Sequence, residues 1–292
     1  MVIRMNKKPK VIAVVGATAS GKTAFAIELA KQLDGEVISA DSRLVYKGFD
    51  IGTAKPTIEE REGIPHHMID IVEPEIDYSA GLYAQEAEQI IDEIISRGKT
   101  PIIAGGTGLY YRLLLEGYDV PKVEPDYEKR KELAELSWDE LVQILNEIAP
   151  NNDFKIEQND KKKIIRAIEI AKQTDKPLNA HKREIKYNVE WFGRNFERAE
   201  LYNRINKRVD LMIEAGLIEE TETLLKKHGR IKNLVGTIGY QEIIGYLDGL
   251  TTLDEAKDKL KQNTRNYAKR QLTWFRKNPN INWNIEPTKL KK

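Results

Sequence analysis

The chain contains no cysteine among its 292 residues, which excludes a disulfide framework, a thiolate nucleophile and any Cys-based zinc site. Long apolar runs are missing too. The most continuous ones, such as Val11–Val15, have the length of a strand rather than of the ~20 residues that a membrane span needs. No membrane association is expected. The basic first ten residues lead into no apolar stretch followed by a small-residue cleavage site, so no secretory signal is expected and a cytoplasmic location fits. Histidine is scarce, at 4 residues. The adjacent pair His66-His67 is expected to be structural, because neighbouring side chains on an extended segment point apart and no carboxylate has helical spacing to them.

Net charge is also nearly absent, at +1, while a hydrophobic content of 40% is enough to fill a core. The length favours one large domain or a main domain with a smaller one. Charge is unevenly distributed. Residues 50–100 are acidic, 161–186 are basic, and 257–277 carry Lys257, Lys259, Lys261, Arg265, Lys269, Arg270, Arg276 and Lys277 against Asp258 alone. A near-neutral chain with two basic segments suits a polyanion bound locally.

Periodicity in the first third alternates strand and helix. Val11–Val15, Glu36–Ala40 and Thr100–Ala104 read as strands, and Lys22–Leu33 and Leu82–Arg97 as helices, with 51–80 irregular. Such alternation predicts a parallel sheet with helices on both faces. From residue 120 onward the pattern is helical: Ser137-Trp-Asp-Glu140 is a capping box opening a helix to Ile148, and Lys162–Lys172 is a second helix. Residues 198–228 make one or two helices and 251–277 a long terminal one, with Val189–Phe192 as the single late strand, returning to the sheet.

Gly16-Ala-Thr-Ala-Ser-Gly-Lys-Thr23 fits the phosphate-loop pattern and lies between an expected strand and an expected helix. In such a loop successive backbone N–H groups face an anion, the helix N-terminus adds partial positive charge, Lys22 adds a full one, and the Thr23 hydroxyl can reach a magnesium ion. What is done to the bound phosphates is a separate question. The strand-end Asp usual in nucleotide triphosphatases is missing, because the third strand runs into Ala104-Gly-Gly106. Ligands of open parallel sheets bind beyond the carboxyl ends of the strands, and there Asp41 and Thr107 join the loop, either as site residues or as ordinary caps. In the last helix Lys257, Lys261, Arg265 and Lys269 form a stripe with Tyr267, Trp274 and Phe275 interleaved, a face for phosphates or a solvated one. A kinase, a nucleic-acid-binding ATPase and a group transferase all remain open on these grounds.

Seven ordered motifs carry a resemblance. Gly16–Thr23, Asp41-Ser-Arg-Leu-Val-Tyr-Lys-Gly-Phe-Asp-Ile-Gly-Thr-Ala-Lys-Pro56, Gly63–Asp70, Gly105-Gly-Thr-Gly-Leu-Tyr110, Asn159-Asp160 through Glu169, Gly236–Tyr240 and Thr264–Arg276 together resemble the tRNA dimethylallyltransferase (tRNA isopentenyltransferase) family. The resemblance implies an α/β, P-loop NTPase-like parallel sheet flanked by helices, with a smaller all-helical insertion. Its core would span 1–118 and 187–292 and its tRNA-contacting insertion 119–186. It implies transfer of a dimethylallyl group from its diphosphate to the exocyclic amine of the adenine 3′ of the anticodon, flipped into a pocket between core and helical part. Asp41 would be the base, with Thr107 beside it. Thr18, Ala19, Ser20, Gly21, Lys22, Thr23 and Arg208 would hold the diphosphate, with Mg2+ on Thr23. Asp41, Ser42, Arg43, Leu44, Lys162, Lys163, Arg166, Lys269, Arg270 and Arg276 would touch tRNA, and Arg204, like Arg208, is a candidate for the site. A monomer is expected. Departures from the family pattern are Ala17 where proline is usual, Lys163 where arginine is common, and a short insertion.

Overall fold

The computed structural model describes residues 8–119, 121, 123–150, 156–174 and 183–285; part of the basic segment 161–186, residues 175–182, lies outside them. The chain divides into two compact units, one made of residues 1–115 and 186–292, the other of 116–185.

The larger unit is built on a six-stranded sheet, counted among the described residues, whose paired strands all run parallel: β1 (Lys10–Gly16), β2 (Gly35–Ser39), β3 (His66–His67), β4 (Thr100–Gly105), β5 (Asn188–Arg194) and β6 (Ile281–Trp283), in the order β3-β2-β4-β1-β5-β6. Strand alternation sends Val11, Ala13 and Val15 to one face and Ile12 and Val14 to the other. The first face is covered by α2 (Ala80–Ser96) and α3 (Gly108–Leu115), the second by α1 (Lys22–Leu33) through Phe25 and Leu29. Each such side chain contributes ~1.5–3 kcal/mol by leaving water. The fold is therefore P-loop NTPase-like α/β, with central strands apolar on both sides, as parallel sheets require.

Several boundaries differ from the sequence expectation for visible reasons. Helix α2 begins at Ala80 because Ser79 caps it, its hydroxyl accepting from Leu82 N. Strands β3 and β6 were not expected. The first is two residues long inside an irregular segment, and the second follows Pro279, so neither shows a period. His66 and His67 are structural as expected: the first ring bonds the Ile64 carbonyl, the second the buried Glu36 carboxylate. The 198–228 segment is two helices, broken at Gly216. After α4 (Tyr127–Glu135), α5 (Trp138–Ile148) and α6 (Lys161–Gln173) of the smaller unit, the chain continues through α7 (Arg198–Glu214), α8 (Leu217–His228), α9 (Lys232–Val235), α10 (Tyr240–Leu247) and the long α11 (Leu253–Phe275). A capping box between Thr252 and Glu255 starts α11. No helix among the described residues is long and apolar enough to cross a membrane.

In the smaller unit α4 (Tyr127–Glu135), α5 (Trp138–Ile148) and α6 (Lys161–Gln173) enclose Leu133, Leu141, Leu145, Ile164 and Ile168. Helix α4 was missed because it is polar almost all round, with one buried residue, Leu133. Glu169 is buried at the centre. Burial alone would raise its pKa, but hydrogen bonds from Arg130 and Arg166 hold the carboxyl below its usual range.

Candidate active site

The site is assembled at the carboxyl edge of the sheet, within the larger unit. The chain leaves β1 into the phosphate loop and re-enters regular structure at Gly21, whose φ of 79° is the left-handed conformation that glycine adopts without strain. Lys22 turns back over the loop, its Nζ donating to the Ala17 carbonyl at 2.6 Å. Surrounding protein desolvates this ammonium and pushes its pKa down to about 8, against a raising effect of the Asp41 carboxylate. The Ser20 hydroxyl is fully buried and has no hydrogen-bond partner among the described residues. An unused donor inside a loop of N–H groups suits an anion.

Two arginines of α7 grip the loop from outside. Arg208 Nη1 approaches Thr18 Oγ1 at 3.3 Å and its Nη2 the Ala54 carbonyl at 3.4 Å. Arg204 Nε donates to the Ala19 carbonyl at 3.0 Å and its guanidinium lies over the Phe196 ring. Burial lowers the Arg208 pKa, opposed by the Asp41 charge, yet a guanidinium keeps its proton at neutral pH. Both arginines thus contact the loop.

The chain end of β2 places Asp41, whose Oδ1 accepts from Arg43 N at 2.8 Å. The end of β4 places Thr107, whose Oγ1 accepts from Ser42 N at 3.0 Å and whose own N–H bonds the Ala40 carbonyl at 3.0 Å. Between these strand ends and helices α7 and α11 lies a cavity of about 290 Å³. Thr18, Asp41 and Arg208 form its polar part, and Ile205, Met212 and Leu260 are among its apolar walls. Arg270 and Tyr267 of α11 also line it, with Arg270 stacked over the Tyr267 ring.

The basic stripe of α11 is not one surface. Lys261 Nζ pairs with Asp210 at 2.7 Å, Lys257 lies at 3.9 Å from the same carboxylate, and Arg265 donates to Asn206 Oδ1 at 2.7 Å. These three cations fasten α11 to α7. Lys269, Arg270 and Arg276, in contrast, are exposed. On α6, Lys162 is exposed, Lys163 pairs with Asp160 at 2.9 Å, and Arg166 bonds both Glu169 and the Val123 carbonyl.

Sequence reasoning missed residues that hold the site's walls. Lys55, with its side chain only 5% exposed, joins Asp50, Asp70 and the Tyr46 carbonyl, pinning the 41–56 loop. Glu220 accepts from Ile51 N, Gly52 N and the Tyr240 hydroxyl. Gln271 of α11 reaches the phosphate loop itself.

A phosphate loop and a carboxylate beside a partly apolar cavity, at the carboxyl edge of a P-loop-type sheet, are the parts of a group-transfer enzyme. A family model described as IPP transferase matches residues 44–278. The tRNA dimethylallyltransferase of Carboxydothermus hydrogenoformans is 46% identical over 283 residues, covering 94% of this chain and 91% of that protein. The Bacillus halodurans tRNA isopentenylpyrophosphate transferase structure superposes with a TM-score of 0.72 at 43% identity, covering 95% of this chain and 89% of that one. A eukaryotic dimethylallyltransferase acting on tRNA gives 0.79 at 27% identity, covering 96% and 75%. The chain belongs to the IPP transferase family.

Proposed function

We propose that this protein transfers a dimethylallyl group from dimethylallyl diphosphate to the exocyclic N6 amine of the adenosine 3′-adjacent to the anticodon of tRNA, forming N6-isopentenyladenosine and diphosphate. The cavity carries this reading: Thr18 of the phosphate loop, Arg208 and Asp41 form its polar part, and its apolar wall suits a five-carbon tail. An allylic C–O bond ionises readily once its leaving group is stabilised, which the loop N–H groups, Lys22 and Arg208 do. The N6–C bond forms as the C–O bond breaks, and the N6 proton passes to Asp41. Thr107 acts beside it by fixing Ser42, and so the strand end that presents Asp41.

The residues also fit a magnesium ion. The exposed Thr23 hydroxyl stands at the start of α1, and no cluster of three or more His, Asp or Glu groups exists among the described residues. That suits a cation held mainly by phosphate oxygens and water; such an ion would neutralise charge on the departing diphosphate. The tRNA would meet Arg43 and Arg270 at the cavity and the exposed Lys269, Arg276 and Lys162, with the protein acting as a cytoplasmic monomer.

Nucleoside mass analysis after incubating an anticodon stem-loop with dimethylallyl diphosphate is the direct test. N6-isopentenyladenosine with equimolar diphosphate is expected. Release of phosphate from ATP without a modified nucleoside would overturn the reading.

Two further outcomes follow from the geometry. Because the Lys22 ammonium in the free enzyme titrates near pH 8, kcat/KM for dimethylallyl diphosphate should be level from pH 7 to about 8. Above that it should decline by up to about tenfold per pH unit as the required charge is lost. In the complex the bound anion favours the protonated form, so the kcat limb lies at higher pH. A kcat/KM profile flat to pH 10 would remove Lys22 from anion binding. For the outer grip, Lys269→Gln with Arg276→Gln should weaken stem-loop binding and flatten the log Kd against log salt plot by up to about two slope units. Unchanged slopes in a filter-binding salt series would show these cations to be merely solvated.

A further inference from the structure

Gln271 is a buried amide on the basic helix α11, only 5% exposed. Its Oε1 accepts from the Thr18 backbone N–H at 2.8 Å and its Nε2 donates to the Gly106 carbonyl at 3.0 Å. The partners fix the amide's orientation, because reversing it would set donor against donor and acceptor against acceptor. One loop N–H, in the midst of the anion cradle, is thus held by a side chain from α11. The approach is so close that a Cβ on Gly106 would overlap the Gln271 amide nitrogen.

The bonds continue beyond this amide. Gly106 precedes Thr107, whose N–H holds Ala40 and whose hydroxyl holds Ser42, the two residues flanking Asp41. An unbroken path therefore runs from Thr18 through Gln271, the Gly106–Thr107 turn and Ser42 to the carboxylate. Strand β4, which carries that turn, lies between β1 and β2, so the amide spans from the exit of β1 to the exit of β4.

We infer that Gln271 is a positioning residue that sets the register between the diphosphate cradle and Asp41. This rests on the function proposed above, in which leaving group and attacking amine must lie in line between those two groups. A misplacement of about 1 Å in such an arrangement can cost on the order of 10²-fold in rate. Binding is less sensitive, because the cradle's remaining N–H groups, Lys22 and Arg208 stay in place.

The test uses Gln271→Met, which keeps the length and apolar bulk of the side chain while removing its hydrogen bonds to the two backbone groups and to Tyr267, and Gly106→Ala, which displaces the amide from the opposite side. Each should lower kcat by about 30- to 100-fold. Titration calorimetry should find the Kd values for inorganic diphosphate and for an anticodon stem-loop within about threefold of wild type, with Tm shifted by only a few degrees. The double variant should be little worse than either single one, because both break the same clamp. A kcat within about threefold of wild type in both variants would overturn the assignment. So would losses shared equally by kcat, both affinities and Tm, which mark a merely structural amide. Failure of the underlying reading is seen separately: wild-type protein would then neither bind diphosphate nor modify the stem-loop.

Discussion

Lys22→Ala should lower the rate of dimethylallyl transfer by ~10²–10³, the usual cost of losing one preorganised donor at a site of developing charge, and leave the fold intact. The ammonium end of Lys22 is held by a bond to the Ala17 carbonyl. Its ammonium is crowded by protein and is consequently less stable as a cation than in water, with its pKa near 8. That destabilisation is relieved when negative charge collects on the departing diphosphate, so the charge stabilises the transition state more than the free enzyme. Single-turnover rates at saturating substrate, with Tm measured beside them, decide the matter. A rate within threefold of wild type would show that the cradle does not hold the leaving group.

The sheet and this loop were legible because their signals are local. Val11–Val15 is apolar at every position, as a strand buried on both faces must be, and the loop's glycines stand at fixed offsets between a strand and a helix. The placement of Asp41 and Thr107 just beyond the carboxyl ends of β2 and β4 was legible from the strand pattern, and a topological rule places ligands there. Gln271 was not. A glutamine in a helix rich in lysine and arginine reads as another solvated residue, and its partners are distant in sequence: Gly106, 165 positions away, and Thr18, 253 positions away. The basic stripe misled for a related reason. Four-residue spacing specifies that Lys257, Lys261 and Arg265 share a face, but not that Asp210 and Asn206 of α7 lie opposite. Spacing reports a face; only tertiary structure says what that face meets.

Asp41→Asn should reduce turnover by ~10²–10⁴, the range for losing a general base, while stem-loop affinity stays within about threefold. The asparagine carbonyl can still accept from Arg43 N, the bond that shapes the turn after β2. What is lost is the second oxygen, which has no hydrogen bond among the described residues, and with it the capacity to take a proton. The adenine amine donates its lone pair into the ring and attacks poorly until that proton is removed or drawn away. The electrostatic loss compounds this, because the Asp41 charge acts on both Lys22 and Arg208. Neutralising it should strengthen binding of inorganic diphosphate even as turnover falls. Tighter diphosphate with slower transfer is a combination that neither a folding defect nor a lost tRNA contact produces. Calorimetry on wild-type and variant protein, beside single-turnover rates on a bound stem-loop, separates these cases. If stem-loop binding collapsed while bound RNA was still modified at the wild-type rate, Asp41 would be a recognition residue and the proton would have to leave by another path.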